Sequence, residues 1–172
     1  MPPIKFQATP YTIGSWTVLR LPQAASKKLP SRGMSMVEGT INGSPFQAPL
    51  EPDGKGSHWL KIEKRMEAKA GVAAALEIAP MHQWPEPAIP ADFKKALAAA
   101  PKSLAVWNEA TPMAHWDWVR WIGMSKNPDT RKKHIVVAIS KLAHGERRPC
   151  CFDRSVCCEP AVSKSGVLRE AE

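Results

Sequence analysis

Met36-Val37-Glu38-Gly39-Thr40-Ile41-Asn42-Gly43-Ser44-Pro45-Phe46-Gln47-Ala48-Pro49-Leu50 decides the fold of the first half of the chain. Val37, Gly39 and Ile41 alternate with polar positions, and Phe46, Ala48 and Leu50 alternate beyond the turn. A period of two puts each set on one face of a strand. Asn42-Gly43 supplies the positive φ angles of a type I′ turn, so the stretch predicts a hairpin with one buried face.

The same pattern continues on both sides. Trp16 to Leu21 is rich in strand formers and stops at Pro22, while Leu60 and Ile62 alternate with Lys61 and Glu63. Residues 70–78 are alanine-rich; Gly71 and the neighbouring strands favour a strand there over a helix. Residues 23–33 read as a long polar loop, and Gly54-Lys55-Gly56-Ser57, which lacks the spacing of a phosphate loop, reads as a hairpin turn. Short strands at this spacing predict a small antiparallel β-barrel over residues 1–88.

After Met81-His82-Gln83-Trp84-Pro85-Glu86-Pro87 the period changes. Phe93, Ala96, Leu97 and Ala100 recur at helical spacing before Pro101, and Leu104 and Trp107 mark a second short helix. Thr111-Pro112 reads as an N-cap and first turn, with Trp118, Trp121 and Ile122 on one stripe. Asn127-Pro128-Asp129 starts a last helix whose face carries Ile135, Ala138, Ile139 and Leu142, and Gly145 stops it. The fold class is therefore α+β: a barrel, a helical part over 89–148, and a cysteine-bearing tail over 149–172 whose last residues, from 159, lack periodicity and read as disordered.

The chain has 172 residues, 44% hydrophobic and 23% charged, which fits a globular protein and excludes collagen-like or mostly disordered designs. Its longest stretch without polar side chains, residues 70–76, is far short of the roughly 20 a membrane span needs. No apolar stretch follows the N-terminus, so a cytoplasmic protein with reduced cysteines is expected. The net charge is +8, of which residues 90–148 hold +6 (11 basic, 5 acidic). Such an excess favours polyanionic partners by long-range attraction, or else is a solvated basic face that aids solubility.

Three kinds of chemistry follow. Trp116, Trp118, Arg120, Trp121, Lys126, Arg131, Lys132 and Lys133 interleave aromatic and basic groups, a mixture that stacks bases and neutralises phosphates, or else packs helices together. Cys150, Cys151, Cys157 and Cys158 form a CC-x5-CC cluster suited to a metal or to a thiol response, although adjacent cysteines do not easily share one metal and the spacing is not the usual C-x2-C. His58, His82 and His115 are acid-base candidates, but no nucleophile with its base, paired carboxylates or phosphate cradle is legible. The chain therefore leans away from an enzyme, and no cofactor is indicated.

Thr111-Pro112, Trp118-Val119-Arg120-Trp121-Ile122, Asn127-Pro128-Asp129-Thr130-Arg131 and Arg147-Arg148-Pro149-Cys150-Cys151 together resemble the YdeI/OmpD-associated family, which carries the label bacteriocin-protection. Gly39-Thr40-Ile41-Asn42-Gly43, Pro45-Phe46, Pro52-Asp53-Gly54 and His58-Trp59-Leu60 are similar to the small β-barrel domain of unknown function that often accompanies it. The resemblance covers about residues 4–151. It implies a non-enzymatic binding or stress-protection role and carries no catalytic residues; the partner stays open between a polyanion and a protein. Nucleic-acid binding by the basic helices and a thiol or metal response are the alternatives.

Overall fold

A computed structural model describes residues 2–150 and 152–172; Cys151 lies outside the described residues. Seven strands form the first half: β1 (Ile4–Ala8), β2 (Tyr11–Ile13), β3 (Trp16–Arg20), β4 (Ser35–Ile41), β5 (Ser44–Pro52), β6 (His58–Lys61) and β7 (Ala74–Pro80). They make one antiparallel sheet in the order β1-β7-β4-β5-β6-β3-β2. The expected barrel is a half-barrel, with β1 and β2 as its edges. The β4–β5 hairpin turns at Asn42 and Gly43, whose φ angles of 50° and 82° suit the tight turn. The alanine-rich stretch is strand only from Ala74, where Ala74, Leu76 and Ile78 point into the core; residues 70–73 lie before β7.

Gly39 sets the curl. A Cβ at this position would stand 1.9 Å from the carbonyl oxygen of Glu77, so the close approach of β4 and β7 needs the missing side chain. β5 then serves both halves of the sheet, pairing with β4 over Ser44 to Leu50 and with β6 at Glu51 and Pro52. The concave side is filled by Ile4, Leu19, Val37, Ile41, Phe46, Leu50, Leu60, Leu76 and Ile78.

The loop expected over residues 23–33 is more ordered than its polarity suggests. It begins with a single helical turn, α1 (Gln23–Ser26), and buries Ala25, Ser26 and Leu29.

Four helices follow: α2 (Ala91–Ala98), α3 (Pro101–Glu109), α4 (Pro112–Gly123) and α5 (Pro128–Ala143). Their caps are those the sequence signals. The Thr111 hydroxyl accepts from the Ala114 N–H at 3.2 Å, and the Asn127 side chain accepts from Asp129 and Thr130. The helices enclose Phe93, Leu97, Trp107, Trp118, Ile122, Ile135, Ala138 and Leu142.

The chain divides into two compact units, Met1–Gln83 with Arg154–Cys157 and Ala161–Glu172, and Trp84–Asp153 with Cys158–Pro160. The disorder expected from residue 159 is thus corrected: residues 161–172 fold onto the first unit. β8 (Ser163–Lys164) and β9 (Val167–Leu168) make a hairpin around Ser165 and Gly166, both at positive φ. Val162 and Leu168 bury Ile13, Val18 and Trp59 on the convex side of β2, β3 and β6. Arg20 fastens this cover, donating to the Glu170 carboxylate at 3.0 Å and the Leu168 carbonyl at 3.3 Å, and Tyr11 donates to the Arg169 carbonyl at 2.9 Å. The Leu168 N–H donates to the Asp53 carbonyl.

Candidate functional site

On the remaining convex surface, the outward residues of β1, β7, β4 and β5 line three grooves. One of about 670 Å³ runs between Glu38, Thr40, Gln47 and Arg65; one of about 550 Å³ lies among Lys5, Gln7, Thr40 and Glu77; and a smaller one, about 330 Å³, lies between them beside Pro3 and Ala79. Thr40 borders all three. Strand register explains the arrangement: Thr40 pairs with Glu77 and Pro45, Glu38 with Ala79 and Gln47, and Glu77 with Lys5. The period of two aims these side chains away from the core.

The groove walls mix polar side chains with apolar surface from Phe6, Pro45, Phe46 and Ile78, and the polar groups are partly paired. Lys5 Nζ lies 3.9 Å from Glu77 Oε2, Gln47 donates to Glu38 at 3.4 Å, and Arg65 reaches Glu63 at 2.8 Å and the Gln47 carbonyl at 3.3 Å. Both carboxylates and both cations stay at the surface, so a ligand meets donors and acceptors along a span of four strands. Exposed ion pairs of this kind are weak and are readily exchanged for contacts with a ligand.

The residues expected to bind a polyanion do not form one surface. Trp118 is fully buried and donates to the Arg147 carbonyl at 2.9 Å. Arg120 is 6% exposed, with its guanidinium 5.3 Å from the centre of the Phe152 ring. Arg131 forms a two-point ion pair with Asp92, at 2.7 and 3.0 Å. That contact holds the Asp92 carboxyl below its usual range. Trp121 packs edge-on against Trp118 and stacks on His134 at 4.4 Å, and Trp116 donates to the Pro85 carbonyl. Lys126, Lys132 and Lys133 remain exposed.

The described cysteines differ in their surroundings. Cys157 sits in the apolar cluster with Ile13 and Trp59, Cys158 is buried, and Cys150 is exposed. Cys151 lies outside the described residues, and among those described no group of three or more His, Cys, Asp and Glu is placed to hold a metal ion.

Sequence reasoning missed a buried serine–histidine contact. His58 is 0% exposed; its Nδ1 is 2.7 Å from Ser26 Oγ and its Nε2 is 2.7 Å from the Gly33 carbonyl. A carbonyl only accepts, so Nε2 carries the proton and Nδ1 accepts from the Ser26 hydroxyl. Burial lowers the pKa of this imidazole and keeps it neutral. Enclosed as it is, the pair pins the segment after α1 to β6. Arg32 reinforces it by donating to the Ser26 and Leu29 carbonyls. His115 is likewise buried, stacked on Trp107 at 4.0 Å, with Nδ1 2.6 Å from Glu86 and Nε2 donating to the Trp107 carbonyl. His82 is exposed.

Residues 86–145 match the family model described as bacteriocin-protection, YdeI or OmpD-associated, and residues 4–80 match that of a domain of unknown function, DUF1905. No curated protein matches the chain.

Proposed function

We propose, from the match of residues 86–145 to the YdeI/OmpD-associated family model and of residues 4–80 to that of DUF1905, that the chain is a non-catalytic cytoplasmic binding protein with a protective role. Its ligand occupies the grooves around Thr40. One observation carries the reading: three grooves converge on a single outward threonine, with carboxylates, cations and amides supplied by adjacent strands. Polar groups held at fixed strand spacing suit an extended polar ligand with both donors and acceptors. The convex apolar patch of the sheet is already covered by Val162 and Leu168, which leaves the polar surface for a partner. No helix among the described residues is long and apolar enough to cross a membrane.

Thr40→Trp fills the common wall while leaving the core untouched. Cells producing the unaltered chain should survive a panel of bacteriocins better than cells lacking it. The Thr40→Trp chain, folded by circular dichroism, should lose that advantage. Equal protection by both chains refutes the groove as the binding site, and no protection by either refutes the protective role.

A further inference from the structure

The end of α5 brings an amine and a sulfur together. Gly145, at φ +88°, turns the chain in the left-handed conformation, and the N–H groups of Gly145 and Glu146 donate to the carbonyls of Leu142 and Lys141. Trp118 then fixes the Arg147 carbonyl, Arg148 lies 3.7 Å from Asp117, and Pro149 is buried. These anchors lead the chain back beside α5, where Lys141 Nζ donates to Cys150 Sγ. Glu146 lies 3.7 Å from the same ammonium. Of the three described cysteines, Cys150 alone is exposed.

We propose that Cys150 and Lys141 form a peroxide-responsive covalent switch, closing to a sulfenamide bond between Sγ and Nζ. An ammonium donating to sulfur favours the thiolate, which is the form that attacks peroxide. The thiolate takes one oxygen of hydrogen peroxide and becomes a sulfenic acid, and the O–O bond breaks to release hydroxide. The Lys141 ammonium gives its proton to that hydroxide, which makes water and a neutral amine within contact of the oxidised sulfur. The amine attacks Sγ, the S–O bond breaks, and the hydroxyl leaves as a second water with one of the two amine protons, the other staying on the sulfenamide nitrogen. In sum, thiolate, ammonium and hydrogen peroxide give the sulfenamide and two waters; sulfur is oxidised by two electrons and peroxide is reduced by two. Small thiols reverse the bond by attacking Sγ. No residue of the Thr40 grooves takes part, so this switch stands or falls separately from the binding role.

Stoichiometric hydrogen peroxide on the full chain, followed by alkylation, digestion and mass spectrometry, tests the proposal. The expected product joins the Lys141 and Cys150 peptides, lacks two hydrogens, and reverts with dithiothreitol. It survives Cys151→Ser. In Lys141→Arg, which keeps the charge beside Glu146, the joined peptide disappears and labelling of Cys150 by dimedone, which traps sulfenic acid, rises several-fold. A Cys150–Cys151 disulfide as the product, equal dimedone labelling in both chains, or an unoxidised Cys150 would overturn it.

Discussion

Acid should loosen the first unit through a single imidazole. His58 is neutral in the fold, accepting from Ser26 at Nδ1 and donating to Gly33 at Nε2, with the Arg32 guanidinium and the Asp53 carboxylate as its charged neighbours. A proton on Nδ1 removes the acceptor of the Ser26 hydroxyl and buries a charge. Because burial holds the folded pKa below the usual 6.5, the unfolded chain binds that proton first. The stabilisation is therefore complete above pH 6.5 and is lost as the pH falls toward the folded pKa. A proton taken up on unfolding costs at most about 1.4 kcal/mol of stability between pH 7.5 and 5.5. Hydrogen-exchange mass spectrometry of peptides covering residues 17–33 and 57–62, corrected for the intrinsic pH dependence of exchange, reads this directly. His58→Gln should lower the opening free energy by about 1–3 kcal/mol at pH 7.5, since an amide satisfies the two partners imperfectly. It should also flatten the pH dependence. If the two chains lose stability in parallel from pH 7.5 to 5.5, the imidazole is not the acid-sensitive group.

Gly54→Ala places a Cβ 2.1 Å from the Gly166 carbonyl at φ +81°, whereas Gly56→Ala, at φ +90°, meets nothing within 4 Å. Both pay the left-handed penalty of about 1–2 kcal/mol, but Gly54→Ala alone should expose residues 161–172 to limited proteolysis; equal cleavage of the two would refute the packing. Leu168→Ala, at a site 1% exposed, should cost about 2–5 kcal/mol and shift Trp59 emission to the red in a urea titration. Arg131→Met should cost about 0.2–1 kcal/mol at neutral pH by freeing α2 from α5. The gap should close in acid, as the pH falls through the lowered pKa of Asp92, when melting curves of the two chains are compared.

Local signals were legible wherever one short segment holds both partners. Asn42-Gly43 announced its hairpin, Thr111 and Asn127 announced their helices, and Phe93, Trp107 and Leu142 kept the periodicity of a buried face. The C-terminal hairpin carried the same kind of signal in Ser165-Gly166, but two-residue strands are too short to show a period, and their apolar partners stand about 100 or more positions earlier. Arg120 read as a surface cation because charge density predicts exposure; its place over Phe152 depends on where the segment after α5 returns. The Ser26–His58 contact joins positions 32 residues apart and the Lys141–Cys150 contact joins positions across a helix end, a proximity that composition does not encode. The Thr40 grooves lie on outward positions whose polarity fixed only that they face water.

Because residues 84–153 are inserted between the parts of the first unit, a nascent chain cannot complete that unit in order of synthesis. Ile13, Val18 and Trp59 emerge early, but Val162 and Leu168 follow about a hundred residues after Trp59, which at ribosomal speed is a delay on the order of 5–20 s. During that interval an apolar surface and the short edge strand β2 stand open to chaperones and to neighbouring chains. The helical unit, whose main body is continuous in sequence, is free to fold in the meantime. Residues 161–172 thus act as a late latch, and lesions in them should appear first as aggregation during synthesis.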